Sequence, residues 1–169
     1  MNDYTYEGAE QAALGVLRRG GFRIDAPPSA GPATLRMGQS AYEWPEDPSA
    51  LPDEAVARWQ SSLASWGAYA SAQMAIALAV KAHAEHQMAA ARAAALAAAT
   101  GTITDRRAVA DADETTITAG FVLSQAKARA ALYEGQVNGI KARQMVMAQE
   151  RKARTEAFAP QGVQQDGRR

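Results

Sequence analysis

The two histidines of the chain lie three residues apart, with a carboxylate between them. His83 and His86 would face the same side of a helix, and Glu85 stands close enough to share a ligand with them. A zinc ion needs three or four protein ligands, and the sequence contains no third histidine and no cysteine. We therefore expect a solvated helix face here, with no metal and no other cofactor.

Three acidic residues, Asp111, Asp113 and Glu114, follow closely after a Thr-Gly-Thr segment. Paired carboxylates can act as general acid and base when a pocket holds them around a substrate. Negative charge near the start of a helix is also explained by the helix dipole alone. Nucleophile triads, phosphate-binding loops and dinucleotide glycine patterns are missing from the sequence. We therefore expect no catalytic residues and no enzymatic activity.

Basic residues near the end of the chain are the best candidates for binding a ligand. Between residues 141 and 154 five basic side chains accompany a single acid, Glu150. Contact with a phosphate backbone needs only clustered lysine and arginine, whereas a solvated helix face with cations near its C-terminus would show the same pattern. The candidate nucleic-acid-binding residues are Lys127, Arg129, Lys141, Arg143, Arg151, Lys152 and Arg154.

Charge is unevenly distributed along the 169 residues, although the formal net charge is zero. Residues 1–53 carry four basic and eight acidic side chains, whereas residues 102–169 carry eleven basic and eight acidic ones. This polarity predicts either contacts between the two ends or an anionic partner at one end.

The elements that would position these residues are two very long helices. Residues 53–158 contain no proline and no cysteine, and Thr100-Gly101-Thr102 is the one strong turn signal inside them. Helices of about 46 and 54 residues would be about 70–80 Å long at 1.5 Å per residue. The sequence therefore predicts an all-α fold, a long antiparallel helical hairpin of coiled-coil type over residues 53–158.

Apolar residues with alternating spacings of four and three mark a seam on each predicted helix. A rod of two helices leaves part of each seam uncovered, so we expect a homo-oligomer. Glycines inside the second helix cost about 1 kcal/mol each relative to alanine, and close approach of another helix would explain them. The predicted oligomer interface comprises Trp59, Leu63, Trp66, Tyr133, Gly135, Val137, Gly139 and Ile140.

The first 52 residues differ in composition from the hairpin and are interpreted as an extended, Pro/Gly-rich N-terminal arm. Residues 7–19 can form a short helix stopped by Gly20-Gly21, and residues 26–32 have the composition of a linker. The arm is either a flexible leader or docks on a neighbouring subunit, with Tyr42 and Trp44 as anchors. Residues 159–169 form a polar tail.

Targeting signals are not visible in the sequence. The N-terminus lacks the basic and apolar regions of a signal peptide. The most apolar run, residues 68–80, is too short and too polar to span a bilayer. We expect a soluble protein in the cytoplasm, with no membrane partner.

Residues Val56 to Arg154 resemble the bacteriophage recombination mediators of the UvsY type, which are small proteins built on a long helical hairpin. The shared features are a tryptophan-bearing first helix, an Ala/Arg-rich run that leads into a glycine turn, and a polar, acidic start of the second helix. The most similar stretch is Gly135-Gln136-Val137-Asn138-Gly139-Ile140-Lys141-Ala142-Arg143-Gln144, followed by Met145-Val146-Met147.

The resemblance implies an oligomeric ring that binds single-stranded DNA and helps to load a recombinase in the cytoplasm of the host cell. The family's basic motif near the end of the first helix is reduced here to Arg92, and the N-terminal arm is additional. Two alternatives share the same sequence features. One is a phage virion or assembly protein of the head, connector or tail, which its N-terminal arm would hold to other virion proteins. The other is a coiled-coil adaptor.

Overall fold

The computed structural model describes residues 4–23, 27–28 and 44–158, and every regular element in those ranges is helical. The elements are α1 (Tyr6–Arg19), a 3₁₀ turn (Pro48–Ala50), α2 (Asp53–Ala98), α3 (Ile103–Ala112) and α4 (Glu114–Phe158). The predicted all-helical class with two long helices is confirmed.

The chain divides into two compact units. The first consists of Met1–Pro27 and Gly67–Gly139, and the second of Pro28–Trp66 and Ile140–Arg169. Helices α2 and α4 each contribute residues to both units, whereas α1 and α3 belong to the first. The predicted boundary at residue 52 stays a prediction.

Helix α2 begins and ends where the sequence predicts. Pro52 precedes a first turn containing Asp53 and Glu54, where proline loses no hydrogen bond and negative charge meets the helix dipole. After Ala98 the chain turns at Gly101, whose φ of +108° lies in the region that favours glycine. The predicted turn is confirmed.

A capping box starts α3 directly after this turn. The Thr102 hydroxyl accepts a hydrogen bond from the Asp105 backbone N–H at 3.3 Å, and the Asp105 carboxylate accepts one from the Thr102 backbone N–H at 3.2 Å. Two of the N–H groups that a helix start leaves without partners are thereby satisfied.

The predicted second helix is not continuous, and this corrects the expected length of about 54 residues. Asp113 has an extended backbone (φ −65°, ψ 132°) and separates the 10-residue α3 from the 45-residue α4. Its carboxylate accepts hydrogen bonds from the Thr116 backbone N–H at 3.0 Å and hydroxyl at 3.3 Å. An aspartate that caps a following helix competes with continuation of the preceding one, so Asp113 starts α4 instead of extending α3.

The core of the first unit is formed by small and branched side chains from three helices. Helix α1 packs into it through its two buried alanines, so this part of the predicted arm is held by its own chain. The short helix is confirmed, starting at Tyr6, one residue before the expected Glu7. The core residues are Ala9, Ala13, Ile76, Val80, Ala84, Val122, Leu123 and Ala126.

In the second unit, α2 and α4 run antiparallel. The Gln60 amide donates to the Met147 carbonyl at 3.0 Å, and the Gln144 amide donates to the Leu63 carbonyl at 3.0 Å. Along this pair of contacts the residue number increases in α4 (from 144 to 147) while it decreases in α2 (from 63 to 60), so the two helices run in opposite directions. Leu63 and Met147 are fully buried between them.

Helix α2 is long and apolar enough to cross a membrane by length and composition alone, in contrast to the expectation from residues 68–80. About a third of its apolar window, 33%, is buried within the chain. The core helix of a soluble protein passes the same test, so this feature is weak evidence for a membrane span.

Truncating the seam should destabilise the fold. Leu63→Ala removes a side chain with 0% exposure, and we expect it to cost about 2–5 kcal/mol of unfolding free energy. Leu78→Ala is the matched control, because Leu78 is 46% exposed and should change stability by less than about 1 kcal/mol. Urea denaturation followed by helical circular dichroism measures both, and equal effects would contradict the assigned seam.

The capping box should make the start of α3 sensitive to acid. Hydrogen bonds from the Thr102 side chain and backbone hold the pKa of Asp105 below its ordinary value of 3.8. A lowered pKa means that the stabilisation is present above about pH 3.8 and is lost as the pH falls through the folded-state value. In an NMR titration, Thr102→Ala should raise the pKa of Asp105 toward 3.8, whereas the exposed control Thr104→Ala should leave it unchanged.

Candidate functional site

Arg154 is the most extensively bonded of the predicted nucleic-acid-binding residues. Its guanidinium lies 2.6 Å from the Asp53 carboxylate and 2.6 Å from that of Glu150. It also donates to the carbonyls of Pro48 and Ser49 at 3.4 Å and 3.0 Å. Hydrogen bonds with Asp53 and then Glu150 raise the pKa of Arg154 above its ordinary value.

This geometry gives Arg154 a structural role within the chain, and its predicted contact with DNA stays a prediction. The side chain is only 19% exposed, and its donors already bind two carboxylates and two backbone carbonyls. A phosphate would have to displace these partners. Arg154 instead ties the segment before α2 and the first turn of α2 to the last turns of α4.

Arg129 has a comparable structural role in the first unit. Its guanidinium lies 4.9 Å from the centre of the Tyr6 ring and 3.9 Å from the Glu10 carboxylate. A hydrogen bond with Tyr6, with smaller contributions from the nearby charges, raises the pKa of Arg129. Cation–π contact and ion pairing therefore hold α1 against α4, although the Arg129 side chain is still 46% exposed.

The remaining predicted cations are less constrained. The Arg143 guanidinium stacks 5.6 Å over the Trp44 ring, and Arg151 donates to the Gln60 side chain at 3.3 Å. Lys152 forms an exposed i,i+4 pair with Glu156 at 3.7 Å, which contributes little to stability. Lys127 and Lys141 are exposed. The cations open to a ligand are Lys127, Lys141, Arg151 and Lys152.

Acidic residues from the start of α2 and the preceding segment share the second unit with the basic end of α4. The described part of this unit, residues 44–66 and 140–158, contains six basic and six acidic side chains. The local excess of positive charge in residues 141–154 is therefore balanced within the unit. The predicted contact between oppositely charged ends of the chain occurs within one molecule, as the Arg154–Asp53 pair shows.

Trp44 also contacts its own chain. Its ring lies 5.4 Å from that of Trp59 in an edge-to-face arrangement with a 67° interplanar angle, a favourable geometry for aromatic pairs. The expected docking of Trp44 on a neighbouring subunit is therefore not needed to explain this tryptophan. Tyr42 and the tail at 159–169 lie outside the described residues.

Five of the predicted interface residues are core residues of a single chain. Trp59 and Trp66 are 6% exposed, Leu63 is 0%, and Val137 and Ile140 are 4% each; Tyr133 is half-buried. These five side chains form a seam within one chain. The predicted contact of the interface residues with a second chain stays a prediction.

Gly135, in the interior of α4, is not explained by close approach within the chain. A Cβ atom added at Gly135 would meet no atom within 4 Å, and one at Gly120 would lie 3.9 Å from the Met88 Cε. Gly139 is half-buried. Gly135 therefore lies beside open space.

Sequence reasoning overlooked one surface, the side of α4 in the first unit that faces away from the seam. We call it the outer face, and it carries three large exposed side chains: Ile117 (58%), Phe121 (65%) and Leu132 (59%). The sequence contained a signal for this surface, because the spacing of the seam residues also predicts which residues of the helix point away from the seam. The outer face comprises Ile117, Thr118, Phe121, Ser124, Gln125, Ala128, Ala131, Leu132, Gly135, Asn138 and Gly139.

Two grooves lie on the described surface. One, of about 500 Å³ in the first unit, lies beside the turn and includes Arg92 and Arg107, but Arg92 is paired with Asp111 at 2.7 Å. The other, of about 310 Å³ in the second unit, includes Asp53, Arg154 and the 81% exposed Phe158. Within the described ranges, no group of three or more His, Asp or Glu residues could hold a metal ion.

No protein-family model matches this chain, and no curated protein and no solved structure matches it either.

Replacing Arg154 should loosen the segment that precedes α2. Arg154→Gln removes the ion pairs with Asp53 and Glu150 and weakens the contacts to the Pro48 and Ser49 carbonyls. We expect faster amide hydrogen exchange in residues 48–56, measured by mass spectrometry. Lys152→Gln removes the same charge from an exposed site and should leave the exchange unchanged. Equal exchange in both variants would refute the structural role of Arg154.

Proposed function

We propose that this protein is non-enzymatic and works as a homo-oligomer of helical hairpins. The outer face of α4 is the observation that supports this proposal. It exposes Ile117 and Phe121 one turn apart, and Leu132 eleven residues further along the same side of the helix. Several large exposed apolar side chains on one helix face are typical of surfaces that bind another protein.

Single-stranded DNA is the partner we propose for this oligomer, which would act as a recombination mediator that loads a recombinase in the host cytoplasm. The resemblance to the UvsY-type mediators supports this proposal. The exposed cations of α4, Lys127, Lys141, Arg151 and Lys152, also support it, because phosphate contacts need charge and access but no base-reading geometry. Because every subunit of the oligomer would carry these cations, many weak phosphate contacts would together give a higher affinity for single-stranded DNA.

A structural protein of the phage virion is the second candidate. The balance of six basic and six acidic residues in the described part of the second unit favours it, because a surface with little net charge attracts a polyanion weakly over distance. In this proposal the helices bind other virion proteins through uncharged surfaces.

Binding to single-stranded DNA separates the two candidates. For the mediator, affinity should be independent of sequence, and its logarithm should fall by about 0.7 per phosphate contact for each tenfold rise in salt. Changing Lys141, Arg151 and Lys152 together to Gln removes three exposed charges and should make this slope shallower by about 2. Fluorescence anisotropy with a labelled oligonucleotide measures both quantities.

A matched control removes three charges away from α4. Arg58, Lys81 and Arg107 changed together to Gln should leave the slope as in the wild type, with helicity and oligomer size unchanged. No binding by the wild type at about 50 mM salt would rule out the mediator, and equal loss in both triple variants would show a general charge effect without a binding site on α4.

A further inference from the structure

The outer face of α4 contains no charged residue. Its eleven positions between Ile117 and Gly139 are Ile, Thr, Phe, Ser, Gln, Ala, Ala, Leu, Gly, Asn and Gly. A soluble protein surface with about 25–35% charged residues would place three or four charges there. All eleven are exposed except the half-buried Gly139. This face lacks the charge expected of a surface in permanent contact with water.

The charges of this part of α4 lie elsewhere on the helix. Glu114, the first residue of α4, lies on the same side one turn before Ile117 and marks the end of the uncharged stretch. From Ile117 to Gly139 the charged residues are Lys127, Arg129 and Glu134, at positions that flank the seam shared with α2. Arg129 is directed to Glu10 and Tyr6 of α1. The absence of charge is therefore specific to the outer face and does not extend to the whole segment.

Charge complementarity favours a second copy of the same face as its partner. A charged partner would lose its hydration on this face without finding an opposite charge, which is costly. A second copy of the same uncharged face has no charged group to lose its hydration, so this cost does not arise. In a twofold dimer each copy uses the same residues, so the face must be complementary to itself.

The sizes of the side chains show how the face can be complementary to itself. Phe121 is large and 65% exposed, and Gly135, fourteen residues later on the same side of α4, lies beside open space. In an antiparallel pair centred on Ala128, Phe121 of each copy lies opposite Gly135 of the other. Ile117 then lies opposite Gly139, and Leu132 opposite Ser124. In a parallel pair, by contrast, phenylalanine would face phenylalanine, and glycine would face glycine across a void.

We propose that two copies of the chain pair antiparallel through the outer faces of their α4 helices, about a twofold axis near Ala128. This inference rests on the proposed homo-oligomer and identifies one of its interfaces. Phe121 fills the space above Gly135 of the other copy, and two such contacts related by symmetry fix the register. The small residues between them let the helix axes approach closely, as in packed helices with interaxial distances of about 8–10 Å.

Charge introduced on the face tests whether it is an interface. Phe121→Glu places two unpaired carboxylates in each dimer interface and should weaken self-association at least about a hundredfold. Val16→Glu is the matched control, because Val16 is 59% exposed in the same unit but lies on α1. Sedimentation of the full-length variants measures association, and circular dichroism verifies that helicity is preserved.

Single cysteines test the orientation, since the sequence contains none. A disulfide requires Cα atoms about 4.4–6.8 Å apart. Ala128→Cys lies near the twofold axis and should cross-link two chains under mild oxidation. Ile117→Cys lies eleven residues from the axis near the centre of the same face, so the antiparallel pair separates its two copies by about 33 Å at 1.5 Å per residue. It should not cross-link, whereas a parallel pair would cross-link both.

The outcomes separate this interface from the proposed function. A monomeric wild type overturns both the interface and the proposed homo-oligomer. The same result is expected if another part of the same chain covers the face. An oligomer whose size is unaffected by Phe121→Glu, or which cross-links equally through residues 117 and 128, overturns the interface and leaves the homo-oligomer intact. Loss of association in Phe121→Glu alone, with cross-linking only at residue 128, supports it.

Discussion

The apolar seam between α2 and α4 is the constraint on which the other features of this protein depend. It combines large buried side chains, such as Trp59, Leu63 and Met147, with alanines such as Ala84 and Ala126. In the first unit Val80, Ala84, Val122 and Ala126 share one core with α1. In the second, glutamines reach across to backbone carbonyls of the facing helix. Packing of apolar side chains is not directional, and these directional bonds from Gln60 and Gln144 add a preference for one register.

The same packing brings oppositely charged parts of the chain together. Acidic residues around Asp53 and basic residues around Arg154 are about a hundred positions apart in the sequence but adjacent in the second unit. Arg154 is held there by two carboxylates and two carbonyls at once. The positive charge of Arg154, which could have attracted an external anion, therefore helps to hold the segment before α2 in place.

The outward side of α4 has a different relation to the fold. None of its large side chains is needed for the seam, because Phe121 and Leu132 point away from α2 and stay exposed. Interior glycine lowers helix stability, and Gly135 brings no compensating contact within the chain. Residues that are unfavourable for an isolated helix, on a face without charge, are accounted for if the face packs against another helix.

The sequence by itself determined the local structure of this protein. The bounds of α2, the turn at Gly101, the capping box at Thr102 and the two seams follow from hydrogen-bonding and spacing rules that act within a few residues. The break at Asp113 was also encoded locally, in the capping pattern Asp113-x-x-Thr116. It was missed because acidic residues in a first turn are equally well explained by the helix dipole.

Only the tertiary structure decided what each side chain contacts. Spacing shows that Trp59, Leu63 and Ile140 share a seam, but it cannot show whether the same chain or another one covers that seam. Clustering of Arg129 and Arg154 with other cations likewise gave no sign that Tyr6, Glu10 and Asp53 would be their partners. Such contacts join residues far apart in the chain, and their strength depends on burial and direction, which a linear pattern does not contain.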